Sequence, residues 1–163
     1  MSAPPDPRLI LHEDELDAGV ELMLLAEASL WAAVDQGLEA AGLGLGRSHW
    51  RAAFLLRRRP GIGVQELAHL TSLSKQAASR ILVDLAAKDL AEKQAGDVDG
   101  RRRSAALTER GLAFEAAIGE RVRSHLARAY RSGGLDGVAG ARAILSAMAG
   151  GRTKSPTEPS RFR

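Results

Sequence analysis

Cysteine is absent from the 163 residues. Disulfides, thiolate metal sites, Cys nucleophiles and thiol-based redox sensing are thereby excluded. Aromatic residues make up only 4%, so Leu, Ala, Val and Ile must fill most of any core. A small helical domain built from such short side chains often needs a partner to bury enough surface. No apolar run approaches the roughly 18 residues of a membrane-spanning helix. Met1–Pro7 lacks the basic start and apolar stretch of a secretory signal, so a cytoplasmic setting without a membrane partner is expected. There is no Gly-rich phosphate loop, no paired carboxylates in a cleft-like context and no nucleophile motif. Gly42, Gly44 and Gly46 follow a helical pattern rather than a strand, so they do not read as a nucleotide loop. No enzymatic activity is expected. His12, His49, His69 and His125 have no metal-ligand spacing, and neither a metal nor a cofactor is expected.

The hydrophobic fraction of 45% is enough for one domain. Charge is distributed unevenly. Residues 1–46 carry one Arg against nine acids, a net of −8. Residues 47–110 carry thirteen Lys and Arg against seven acids, a net of +6. Residues 111–163 carry nine against four, a net of +5. A basic middle behind an acidic start fits a surface that meets a polyanion over part of its area. Solvated helix faces with no partner fit the same numbers.

Residues 1–10 are Pro-rich and read as disordered. A long helix is predicted from His12 to about Ala40. Glu13, Asp14, Glu15 and Asp17 crowd its start, where the helix dipole favours negative charge. Leu16, Val20, Met23, Leu24, Trp31, Val34 and Leu38 form an apolar stripe at spacings of three and four. Further helices are predicted over Ser48–Arg57, Val64–Leu70 and Lys75–Lys88, the last with Ser74 as N-cap. It should bury Ala78, Ile81, Leu82 and Leu85. Ala91–Lys93 and Arg103–Leu107 read as paired strands around a turn-rich tip, Ala95 to Gly100. Thr108 caps another long helix, with Phe114, Ile118, Val122 and Leu126 recurring every four residues. Gly133-Gly134 ends it. A last helix, Leu135–Met148, should carry Leu135, Val138, Leu145 and Met148 inward. Residues 150–163 read as a flexible tail.

The central block is therefore helix, tight turn, helix and hairpin. In a helix-turn-helix the second helix enters the major groove, led by its N-terminal residues. Here these are Ser74, Lys75, Gln76, Ala77, Ser79 and Arg80. Gln pairs bidentately with adenine, and Arg or Lys with guanine; Ser and Lys also serve for phosphate. An ordinary amphipathic helix with a polar face is the plainer reading of that segment taken alone. The hairpin adds Asp99, Arg101, Arg102 and Arg103. A projecting Arg suits a narrow, electronegative minor groove, and Asp99 can hold Arg101 by a charge-assisted bond.

Asp99-Gly100-Arg101, then Leu107-Thr108, then Gly111, resembles the wing signature of MarR-type regulators at all five of its fixed positions. Glu66-Leu67-Ala68 and Ser74 through Leu85 are similar to that family's helix-turn-helix. The resemblance covers residues 20–149. Gly46-Arg47-Ser48-His49-Trp50-Arg51-Ala52, Arg59-Pro60-Gly61 and Lys75-Gln76 are similar to the family's PetP-like branch. One position departs from the pattern: Asp89 stands before Leu90 where the family has Gly. Asp tolerates the left-handed conformation better than most residues, so the turn should survive.

The resemblance implies a mainly α fold with a small β-hairpin wing. A winged helix-turn-helix domain, about 47–108, would be flanked by dimerisation helices, about 11–41 and 109–149, in a single domain spanning 11–149. It implies a homodimer that binds double-stranded DNA at a pseudo-palindromic operator. Leu16, Val20, Leu24, Ile118, Val122, Leu126 and Leu145 are the candidate interface. It also implies a small-molecule effector between the dimer helices and the reading domain, with Trp31, His49, Trp50 and Arg51 as candidate lining. A structural role is the plainer reading of His49 and Trp50, and packing that of His125. The rival function is a winged-helix protein-interaction module that has lost DNA binding. Lys75, Gln76, Arg80 and Arg101 argue against it.

Overall fold

Helix α1 (Glu13–Ala41) begins at the acidic cluster of the sequence. Glu13, Asp14 and Glu15 occupy its first turn, and the Glu15 carboxylate accepts the His12 backbone N–H at 3.2 Å. Both features complement the positive end of the helix dipole. Gly42 ends the helix in the left-handed conformation, φ 62°, and its N–H donates to the Leu38 and Glu39 carbonyls. Then come α2 (Arg47–Arg58), α3 (Val64–Thr71), α4 (Lys75–Ala87), β1 (Ala91–Gln94), β2 (Ser104–Leu107) and α5 (Glu109–Ala149). This computed structural model describes residues 9–94 and 104–150. The expectations for residues 1–8, for Asp99, Arg101, Arg102 and Arg103 at the hairpin tip, and for residues 151–163 lie outside them.

The core gathers Val34 of α1, Trp50, Ala53 and Leu56 of α2, Leu67 of α3, Ile81 and Leu85 of α4, and Phe114 and Ile118 of α5. Gly37 faces Ile118 across the α1–α5 contact. A Cβ at 37 would stand 2.9 Å from the Ile118 side chain, so the missing side chain lets the two helices lie close. Strands β1 and β2 pair antiparallel, Ala91 opposite Leu107 and Gln94 opposite Ser104. Ser104 also bridges Gly63, just ahead of α3, which ties the wing to the loop that launches the helix-turn-helix. Among the described residues no helix is long and apolar enough to cross a membrane.

Four expectations need correction. Ile118 was placed on the dimer interface by its period, yet it is fully buried in the single chain and belongs to the chain's own core. Val122 lies half-buried beside it, packed against the same cluster. Leu135, Leu145 and Met148 were expected inward but are exposed, because no residue of α5 beyond Val122 joins the core. The Gly133-Gly134 break is a kink rather than a loop. Gly134 takes φ 67°, ψ −176°, and helix continues on both sides. The apolar stripe of α1 divides in the same way. Trp31, Val34 and Leu38 pack on the core, while Leu16, Val20, Met23 and Leu24 remain exposed.

Candidate nucleic-acid interface

The turn between α3 and α4 is built from local hydrogen bonds. Thr71 Oγ1 donates to the Leu67 carbonyl at 2.7 Å. Ser72 takes φ 58°, and the Leu73 N–H returns to the Ala68 carbonyl at 3.0 Å, closing the end of α3. Ser74 Oγ accepts the Ala77 N–H at 3.1 Å and so caps α4, as its position before an apolar-periodic helix predicts. Ala78, Ile81 and Leu85 are buried, which turns the opposite face outward. Ser74, Lys75, Gln76, Ser79 and Arg80 are exposed, and Ala77 is half-buried at the margin.

The wing is anchored at its base. Thr108 donates its N–H to the Leu90 carbonyl at 3.1 Å and its hydroxyl to the Asp89 carbonyl at 2.7 Å. The same hydroxyl accepts the Gly111 N–H at 3.0 Å and caps α5. Asp89 adopts φ 58°, the left-handed turn expected at the position where the family has Gly.

Of Trp31, His49, Trp50 and Arg51, only the two tryptophans meet; His49 and Arg51 reach α4 and α3, so the four do not line one cleft. Trp50 is buried, edge-on to Trp31 with ring centroids 6.4 Å apart and tilted on Phe54 at 5.6 Å. Arg51 donates to the Thr71 and Leu70 carbonyls. His49 Nδ1 accepts the Gly46 N–H at 3.0 Å, and its Nε2 lies 3.2 Å from the Asp84 carboxylate. An open cleft of about 460 Å³ lies elsewhere, between α1 and α5, bordered by Ser29, Gln36, Arg121, His125 and Arg128. His125, expected as a packing residue, sits half-buried there with its Nε2 3.2 Å from Ser29 Oγ.

The ion pairs not read from the sequence include two that join α2 to the long helices. Arg47 clamps Asp35 with Nε–Oδ1 at 2.8 Å and Nη2–Oδ2 at 2.6 Å, and lies over the Trp31 ring at 5.4 Å. The hydrogen bonds from Arg47 hold the Asp35 carboxyl below its ordinary value and raise the guanidinium in turn. Glu115, wholly buried on α5, pairs with Arg57 of α2 and lies 3.9 Å from Arg123. Gly119 is the signal that was available. It falls four residues after Glu115 on the same face, and a Cβ there would stand 2.6 Å from the Glu115 carboxylate.

A capped helix-turn-helix with a polar outer face, followed by an antiparallel hairpin on the same core, defines a winged helix-turn-helix protein. A model of the MarR family matches residues 43–102. The chain is 35% identical over 140 residues to the HTH-type transcriptional regulator PetP of Rhodobacter capsulatus, spanning 86% of this chain and 83% of that protein. It belongs to the MarR family of transcriptional regulators. Solved structures share the fold. NadR in complex with 4-hydroxyphenylacetate superposes with a TM-score of 0.70 at 20% identity, covering 91% of this chain and 99% of that one. A variant of S. aureus MepR bound to oligodeoxyribonucleotide gives 0.54 at 18% identity, covering 79% and 94%.

Proposed function

We propose that this regulator is a homodimer that reads double-stranded DNA at a pseudo-palindromic operator, responds to a small ligand and catalyses no reaction. Residues 47–108 form the reading domain, and the helices within 11–41 and 109–149 join the two copies. A cytoplasmic setting follows from that role. The observation that carries the reading is the outer face of α4. Lys75, Gln76, Ser79 and Arg80 are exposed and have no partner among the described residues, on a helix whose other face is buried. The buried face fixes the helix backbone, so these side chains start from set positions on the outer face, with only their own rotamers left to order on meeting base edges. Gln76 and Arg80 read bases, Lys75, Ser79 and the Ser74 hydroxyl meet phosphate, and Arg101 enters the minor groove with Asp99 beside it. Arg102 and Arg103 add charge to the wing. The exposed apolar rows on α1 and α5 support pairing of two copies. The ligand bound by NadR and the oligodeoxyribonucleotide bound by MepR support the two kinds of partner.

The test is titration of the purified protein against duplexes selected from a random pool, across salt concentrations. Arg80→Ala should cost about 1–3 kcal/mol and relax choice at particular bases. Lys75→Ala should weaken all sequences alike and flatten the salt slope by about one charge per subunit. Unchanged affinity and selectivity in both Arg80→Ala and Arg101→Ala would remove this reading in favour of the protein-interaction module.

A further inference from the structure

Three side chains leave one stretch of α2 and reach three different elements. Arg47 holds α1 through the two bonds to Asp35 and the Trp31 ring. Arg51 holds the C-terminal carbonyls of α3, Leu70 and Thr71, at 3.3 and 3.2 Å. His49 holds α4 through Asp84. Because His49 Nδ1 accepts the Gly46 N–H, a neutral ring carries its proton on Nε2 and donates it to Asp84. Asp84 stands four residues after Arg80, on the same face of the reading helix. Two directional contacts, Asp35–Arg47 and His49–Asp84, therefore connect α1 to α4 through three consecutive residues of α2. The core beneath α4 is apolar, and apolar contact is non-directional. Rotation of α4 over that core is what hydrogen bonds of fixed geometry can set.

We infer that Arg47 and His49 are positioning residues: they fix the pose of the reading helix relative to α1, and with it the half-site spacing the dimer accepts. This rests on the DNA-reading proposal above. In that dimer α1 contributes to the joining of the two copies, so the angle between α1 and α4 decides how far apart the two reading helices stand.

The experiment uses the full chain and duplexes selected by the wild-type protein, together with the same duplexes carrying one base pair inserted or deleted at the dyad. Wild type should bind the altered spacings about tenfold more weakly, the scale of one misfitted position. His49→Ala, Asp84→Ala and the double variant should each narrow that ratio to within about threefold, with the double no worse than either single. His49→Gln, which keeps an amide donor for Asp84, should restore it. The ratio is read within each variant, so a loss of folded protein does not imitate the effect. A ratio unchanged in His49→Ala and Asp84→Ala overturns the inference. So does a narrowed ratio that His49→Gln leaves narrowed. If Arg80→Ala weakens binding in the same assay while the spacing ratio never moves, the DNA-reading proposal stands and the positioning role alone fails.

Discussion

Gly111 faces the Leu90 carbonyl so closely that a Cβ at 111 would stand 1.8 Å from its oxygen. That carbonyl also accepts the Thr108 N–H, and Thr108 caps the helix on which Gly111 lies. Leu107-Thr108 and Gly111 are thus the joint between the winged helix-turn-helix and α5, and their spacing follows from it. Gly111→Ala cannot be accommodated by rotating a side chain, because the obstacle is backbone. It should cost more than about 3 kcal/mol. Thermal or urea unfolding measures this directly, and a loss below about 1 kcal/mol would show that the joint yields.

Asp89, next to that joint, holds φ 58° where glycine is at ease. Its carboxylate lies 3.6 Å from Arg110, but both side chains are exposed, so the pair contributes little. Relief of the left-handed strain should outweigh the added freedom of the unfolded chain. Asp89→Gly should stabilise by about 0.5–1 kcal/mol, and Asp89→Val should destabilise. Equal melting temperatures in all three proteins would contradict this.

The helix ends and the inner face of α4 were legible because their signals are local. Ser74, Thr108 and Gly42 each cap or end a helix through atoms within four residues of themselves, and Ala78, Ile81 and Leu85 mark one face by period alone. What the sequence hid depends on distant partners. Ile118 has the same period as an interface residue, and only the approach of Gly37 on α1 makes it core. Arg47 and His49 were visible as a motif, but Asp35 and Asp84 lie 12 and 35 residues away from them. Nothing near Glu115 in sequence marks it as paired, because Arg57 lies 58 residues away on α2.

Glu115 is a carboxylate with almost no access to water, compensated by Arg57 and, at longer range, Arg123. Removing it leaves Arg57 without its ion partner beside an apolar core, while Arg123 keeps Glu120 and the Ala116 carbonyl; both arginines retain contact with solvent and can rehydrate in part. Glu115→Ala should therefore fall at or below the low end of buried-pair losses, about 2–3 kcal/mol. Arg123→Ala, the longer and more exposed contact, should cost less than Arg57→Ala. Chemical denaturation of the three variants gives the order, and the reverse order would assign the compensation to Arg123.

The Asp35–Arg47 clamp predicts an acid-side dependence. Asp35 has a lower pKa in the folded chain than in the unfolded one, through its hydrogen bonds from Arg47. Such a group adds stability above its unfolded value, about 3.9, which is lost as pH falls through the folded value. Asp35→Asn should lower stability at neutral pH and make the decline below about pH 4 shallower. A decline as steep in Asp35→Asn as in the wild type would assign acid sensitivity to other carboxylates.

Assembly of two copies can be separated from folding of one, because the exposed and buried parts of the apolar stripes are different residues. Ile118 and Val122 belong to or border the core, so a charge at either confounds unfolding with dissociation. Leu145 is 57% exposed in the single chain and lies beyond the Gly134 kink, where α5 adds nothing to the core. Leu24, 62% exposed near the middle of α1, is the counterpart there. A charge at either position can reach water in a lone protomer but would have to be buried unpaired in a dimer that covers it. Leu145→Glu and Leu24→Glu should therefore keep the helical spectrum of the wild type at high concentration while light scattering reports a shift from dimer toward monomer at micromolar concentration. Where one copy needs the other to stay folded, the same variants should lose helicity on dilution at concentrations the wild type tolerates. Wild-type mass and helicity in both variants throughout that range would show that these rows are not the contact between copies.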